Sequence, residues 1–537
     1  MKKRWLSTLL TVLIVSSCVS GCGSSSNSPG SIDGASAEDS ETRDPNDPYA
    51  EHLSFEIFSI DGSEEMMDYP LVAEACEKFN IDFTVQLVAW DNWDDVTRTL
   101  AATDSFPEVI AWYNLNYTEY VEWAQEGIFK AIPDDLSAYP NLEALTEKYT
   151  IFDKLLVDGN LYAFPKIKNN NPYNEYDSYM FAYRRDWANA MGLDYAPVQE
   201  LTWDEFKEYL RKVKEEDPGQ LGDKLIPFDF ENGGNSWCGF ARKWNPYISS
   251  YKMVDGQYVW GAPDQTSMEA ILEIKELYDE GLLATDSYTD ANNAGKERFM
   301  AGRSAVIYSN LGPSILQDTV NQMVSTIDGF KEEDLGLFTV KMDDGKYAVS
   351  QMDEWWGSFA FDNDCPDEVM ERWLAVGNWL LEQEQIEKYA YGVEGEDWTK
   401  DADGNVTLNY TAEETAAGGD KEYITNQRAF QKYFILEGLD LFLEGNPNAS
   451  DYVINDLFKT NMETWEINPN YTPSNYDLTY FSSPEKDAFA SVLNSTSDDF
   501  IQAVISDDPE TVWNQFIDEN VEQAERACEE VNEVFGE

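Results

Sequence analysis

Apolar and polar positions follow two periods along the first folded stretch of the chain. Phe55 to Ile60 is a short apolar run that reads as a strand, and Leu71 to Phe79 repeats at helical spacing. Asp82 to Val88 alternates residue by residue, Trp93 to Ala102 returns to the helical period, and Pro107 to Ala111 gives a short third strand. Strands alternating with helices predict βαβ units and a largely parallel sheet. Further on, Thr202-Trp203-Asp204-Glu205 has the spacing of a capping box, ahead of Phe206, Leu210 and Val213 on one helix face. Thr266-Ser267-Met268-Glu269 is a second such box before Ile271, Ile274 and Tyr278, with Gly281 as the stop. Val369, Trp373, Val376 and Leu380 share one helix face; Trp513, Phe516, Val521, Ala524 and Cys528 line a long terminal helix. No internal repeat and no phosphate loop of the GxxxxGK type occurs.

The N-terminus follows a different logic. Lys2, Lys3 and Arg4 precede an apolar run from Leu6 to Val15 that is broken only by Ser7, Thr8 and Thr11. The run is too short to span about 30 Å of hydrocarbon, so residues 1–21 read as a signal peptide. It ends in Val19-Ser20-Gly21-Cys22, which resembles the bacterial lipobox, and that resemblance implies cleavage before an acylated Cys22. Residues 22–50 hold no aromatic side chain before Tyr49 and are expected to form a flexible tether between lipid and folded body.

From residue 51 onward the chain is too long for one simple core and suits two lobes. Its acidity is extreme, with 102 acidic against 37 basic residues in all and a net charge of −65. Such a surface repels nucleic acid and anionic membranes, and an anionic ligand would need a dedicated basic pocket. A neutral ligand meets no such barrier. Cys76, Cys238, Cys365 and Cys528 are far apart with no CxxC spacing, so no zinc or redox site is indicated, although two of them could pair. A single histidine, His52, leaves little room for His-based triads or His-rich metal sites.

Six segments in order carry a resemblance to a known family. Ser105-Phe106-Pro107-Glu108-Val109-Ile110 is similar to a "G-D-x-P-D-V" strand, and Gly127-Ile128-Phe129-Lys130-Ala131-Ile132 to a "G-x-L-x-P-L" segment. Asp158-Gly159-Asn160-Leu161-Tyr162-Ala163-Phe164-Pro165 resembles "D-G-K-x-Y-G-x-P". Tyr183 to Trp187, with Met191-Gly192-Leu193 and Thr202 to Phe206, resembles the pattern that opens the second lobe. Phe299 to Val306 is similar to "F-x-x-G-K-A-A-M", and Tyr391 to Trp398 resembles a signature of large lipoprotein members. Together they resemble family 1 extracellular solute-binding proteins of ABC importers, in their large Gram-positive lipoprotein branch. Glu108 departs from the usual Asp, and Ser309-Asn310-Leu311-Gly312-Pro313 from a Gly-Pro-Trp-like step. Asp217 to Asp223 lacks the dense oxygen ligands of a calcium loop, and Asp401 to Asn405 reads as a β-turn with Val406 where an EF-hand needs Gly.

The resemblance implies an α/β, two-lobed, periplasmic-binding-protein-like fold with crossovers as a hinge. The first lobe is expected at 51–165 and 338–390, the second at 166–337 and 391–537. The implied function is capture of an oligosaccharide, neutral and derived from plant glycan, by a monomer that delivers it to ABC permease subunits. Sugar rings call for aromatic platforms ringed by polar groups. Where the family puts cleft loops, this chain has Trp90, Trp93, Trp112, Tyr113 and Asn310, and Trp237 beside the Gly-rich run Asn232 to Ser236. Asp353, Glu354, Trp355 and Trp356 precede a strand, and one of the two adjacent tryptophans should leave the core. Arg184 is a further candidate, with Arg185 competing for the role. No GxSxG or HExxH motif is present, and no metal, cofactor or catalytic residue is expected. The alternatives are a peptide-binding importer component, then a glycan adhesin or a glycan hydrolase.

Overall fold

The computed structural model describes residues 47–536 apart from 168–175, 177, 285–286, 352, 403, 416–417 and 435–448. The signal segment, Cys22 and most of the expected tether lie outside the described residues. The principal strands, in chain order, are β1 (Leu53–Ser59), β2 (Ile81–Leu87), β3 (Val109–Tyr113), β4 (Ala163–Ile167), β5 (Tyr179–Arg184) and β6 (Val198–Thr202). They continue with β7 (Ile226–Phe230), β8 (Ser304–Asn310), β9 (Leu335–Lys341), β10 (Tyr347–Ser350), β11 (Trp355–Phe361) and β12 (Pro469–Thr472).

Two five-stranded sheets organise the described residues from Glu51 onward, in the orders β2-β1-β3-β11-β4 and β6-β9-β5-β8-β7. Burial explains the placement of the strands. β2 alternates Ile81 and Phe83, buried, with Asp82 and Thr84, exposed, and takes an edge. All five residues of β3 are buried, as suits a central strand covered on both faces. The expectation of largely parallel sheets is corrected. β1 pairs in parallel with β2 and β3, but β11 returns from the other lobe and runs antiparallel to both β3 and β4. The second sheet is mixed in the same way, with β5 antiparallel to β8 and β9.

The Thr202 capping box forms: Glu205 N donates to Thr202 Oγ1 at 3.3 Å, and Thr202 N donates to Glu205 Oε2 at 2.8 Å. The box expected at Thr266 does not. That helix spans Gln265–Asp279 and is capped by Asp264, whose Oδ1 accepts from Thr266 N at 3.0 Å and Thr266 Oγ1 at 2.7 Å. A carboxylate suits the positive helix N-terminus, and here it takes both the Thr266 N–H and the Thr266 hydroxyl.

β4 belongs to the first sheet and β5 to the second, and the chain returns to the first sheet at β11. Two expected boundaries move. Strand β9 belongs to the second sheet, between β6 and β5, so the return to the first lobe comes only at β11. Phe430 to Phe434, expected in the second lobe, pack on the first. There Phe430 stacks on Phe83 at 5.7 Å, Phe434 lies 4.6 Å from Trp373, and Tyr433 donates to Asp61 O at 2.7 Å. From Val453 the chain lies in the second lobe's core. The four cysteines Cys76, Cys238, Cys365 and Cys528 are free. No helix among the described residues is long and apolar enough to cross a membrane.

Candidate functional site

The start of β11 sets up the site. Trp355 pairs with Ile167 on β4, but the register slips before Ser358, and Gly357 sits at φ +67°. A glycine in the left-handed region is what a bulge of this kind requires. The consequence is opposite environments for two neighbours: Trp355 is 8% exposed and Trp356 is 40% exposed. Trp356 lies 5.1 Å from Trp112, edge to face, and 5.7 Å from Trp90, which is itself exposed. Beneath them Lys166 is fully buried, with Nζ 3.9 Å from the Trp112 ring centroid and donating to Ala111 O at 2.6 Å. Burial pushes the Lys166 pKa well below the ordinary lysine value.

Trp355 and Trp356 border a cavity of about 680 Å³. Its opposite wall is built from the second lobe. Tyr179 at the start of β5 and Tyr308 near the end of β8 place their rings 5.6 Å apart. The helix Gly234–Ala241 presents Ser236 and Gly239 to the cavity, with its C-cap Arg242 next on the same face. Those positions recur every third residue, while Trp237, Phe240 and Ala241 turn into the core. Lys243 Nζ donates to Ala348 O at 2.9 Å and stands 5.4 Å from the Tyr308 ring.

β10, β12 and the residues just after them line the remaining side. β10 and β12 pair in parallel, Gln351 N donates to Thr472 O at 2.8 Å, and Ser474 N donates to Gln351 Oε1 at 2.9 Å. The Ser474 hydroxyl donates to Asp353, which lines the cavity. The indole N–H of Trp355 has no acceptor among the described residues. An exposed indole, a carboxylate held by Ser474, two tyrosines and two cations therefore line one space.

Several candidates named from the sequence lie elsewhere. Trp237 is 0% exposed, because the Gly-rich run begins a helix and the indole points into the core, donating to Ser287 Oγ at 3.2 Å. Trp93 is buried against Phe58 at 4.9 Å, and Tyr113 against Phe129 at 5.3 Å. Trp112 is buried too and supports Trp356 without lining the cavity. Arg184 is at the far end of β5 from Tyr179, paired with Asp186 and stacked 4.5 Å from the Trp187 ring. Asn310 spends its amide oxygen on Gly312 N at 3.2 Å, and Glu354 is exposed; neither lines the cavity. Tyr179, Tyr308, Arg242, Lys243, Gln351 and Ser474 escaped the sequence reading. Only the i, i+3 spacing of Ser236, Gly239 and Arg242 could have pointed to one of them.

His52 is exposed, 3.4 Å from Asp82. Asp401 Oδ1 accepts from Asn405 N at 2.9 Å beside the paired strands Trp398–Lys400 and Val406–Leu408. Among the described residues no group of three His, Cys, Asp or Glu side chains is placed to hold a metal ion.

Two interleaved α/β lobes with a cavity between them define a class of ligand-binding protein, and comparison with known proteins agrees. The profile of bacterial extracellular solute-binding proteins matches residues 63–362, and the chain belongs to that family, whose members are binding proteins and not enzymes. The lipoprotein LipO of Bacillus subtilis (strain 168) is 22% identical over 314 residues, 57% of this chain and 56% of that protein. The match thus spans little more than half of that relative's length. In fold, the chain is similar to the S. pneumoniae ABC-transporter substrate-binding protein FusA in complex with kestose. The TM-score is 0.64 at 13% identity, covering 90% of this chain and 99% of that one. It is also similar to an HMO-binding, ABC-transporter-associated solute-binding protein from Bifidobacterium longum infantis, with TM-score 0.58 and 13% identity over 90% and 100% of the two chains.

Proposed function

We propose that this protein is the extracellular binding component of an ABC importer, and that it captures an oligosaccharide between its lobes for delivery to the permease. The observation that carries the reading is Trp356, an indole 40% exposed at the edge of a cavity of about 680 Å³ and flanked by Asp353. An aromatic face suits the CH face of a pyranose, and the surrounding hydroxyl, amide and carboxylate groups suit its rim of hydroxyls. The volume falls in the usual range for small-ligand sites. The kestose-bound and HMO-binding relatives support the ligand class. Acylated Cys22 would hold the protein at the cell surface as a monomer, with the tether giving the lobes reach.

Calorimetric titration with manno-, xylo- and gluco-oligosaccharides beside short peptides tests this reading. Saturable one-to-one binding of a saccharide, recovered unshortened by chromatography, is expected. Binding of peptides alone would overturn it, and cleavage of a bound saccharide by pure protein would contradict a binding role.

A further inference from the structure

With a net charge of −65, an acid group on a ligand meets repulsion over most of this protein. The cavity is an exception. Among the described residues lining it, Arg242 and Lys243 are the cations and Asp353 is the one carboxylate, already accepting from Ser474. Among these described lining residues bases outnumber acids, in a chain whose acids outnumber its bases by 102 to 37.

Arg242 makes the point most clearly. Its side chain is exposed to the cavity, and its guanidinium donates to Ser249 Oγ at 3.2 Å with no carboxylate at ion-pair distance among the described residues. Several arginines elsewhere in the chain are locked onto acids, Arg184 on Asp186, Arg211 on Glu276 and Glu280, Arg298 on Asp229 and Asp290, while Arg185 and Arg372 are held by backbone carbonyls. A planar guanidinium is the side chain best shaped to take two oxygens of an acid group at once. Lys243, held by Ala348 O, adds a second positive charge next to it in sequence and on the same wall.

We infer that the oligosaccharide taken by this cavity bears an acid group, a uronic-acid carboxylate or a sulfate ester, which Arg242 binds with Lys243 nearby while a sugar face lies on Trp356. The inference rests on the oligosaccharide reading above and replaces the expectation of a neutral ligand: the dedicated basic pocket that an anionic ligand needs is on the cavity wall. Specificity then comes from charge as well as from ring stacking. The acidic exterior also disfavours acidic glycans everywhere except at this site.

The test is calorimetric titration of the full chain with matched pairs. Oligogalacturonates and glucuronic-acid-bearing xylo-oligosaccharides are compared with their carboxyl-reduced forms, and sulfated galactan oligosaccharides with their desulfated forms. At least one acidic member should bind about tenfold or more tightly than its neutral counterpart, and the gap should narrow as ionic strength rises. The pair that shows the gap separates carboxylate from sulfate. Arg242→Gln should abolish the preference and Arg242→Lys should restore part of it, both at the melting temperature of the parent. If neutral glycans bind as well as or better than acidic ones, the acid-group inference fails and the oligosaccharide reading stands. If neither series binds, or only peptides do through their terminal carboxylate, both fail.

Discussion

Trp356 and Trp112 meet edge to face, with ring centroids 5.1 Å apart and planes at 73°. One ring is buried and the other is 40% exposed, so the exposed ring is braced by the core. The buried Lys166 Nζ in turn lies 3.9 Å from the Trp112 ring centroid. If Trp356 is the sugar platform proposed above, a ring held this way would lose little side-chain freedom on binding.

That bracing gives the first prediction. Trp356→Ala should weaken saccharide binding roughly tenfold to a hundredfold, corresponding to about 1–3 kcal/mol for a well-packed aromatic contact. The melting temperature of the unliganded protein should barely move. Trp355→Ala should instead cost about 3–5 kcal/mol of stability as a core truncation. Titration calorimetry and thermal melting of both variants separate the two effects. Equal binding by Trp356→Ala and the parent would place the platform elsewhere.

A second prediction concerns the acid cap at Asp264. Burial alone would raise its pKa, but hydrogen bonds from Lys252, Thr266 N and the Thr266 hydroxyl outweigh that and bring it to about 2. A carboxylate whose pKa is lowered by folding stabilises the protein above its unfolded value, and that contribution is lost as pH falls through the folded value. Asp264→Asn should therefore melt below the parent at neutral pH, and the gap should close between about pH 4 and about pH 2. Asp264→Ala should cost about 0.5–2 kcal/mol, typical of an N-cap. A gap that stays constant across that window would contradict the assignment.

How much of this was legible in the sequence depends on how local the cause is. Period-two alternation placed β2, and the Thr202 box placed its helix, because each depends on neighbours within a few residues. Adjacency showed that one of Trp355 and Trp356 must leave the core, but the choice of Trp356 rests on the bulge at Gly357 and the pairing of Trp355 with Ile167. Trp237 misled because a Gly-rich run suggests a loop, whereas here it starts a helix whose apolar face points inward. The packing of Phe430 on Phe83 joins residues far apart in sequence, and no local pattern announces it. Arg242 went unnoticed for a related reason: its significance lies in there being no acid beside it among the described residues.

A third prediction follows from the N-terminus. If Val19-Ser20-Gly21-Cys22 is processed as a lipobox, Cys22→Ala should release the protein into the medium. Intact-mass analysis of membrane-extracted protein should give a chain that starts at an acylated Cys22. A start at any other residue would refute the anchor.

The central claim is that a saccharide lies in the cavity between β11 and the helix Gly234–Ala241. A crystal structure of the protein with the tightest-binding oligosaccharide from the matched pairs tests it most directly. The account predicts a sugar ring lying face-on against Trp356, hydroxyls within hydrogen-bond reach of Asp353, and the acid group on Arg242. Density for the saccharide outside this cavity, or inside it without contact to Trp356, would contradict the account.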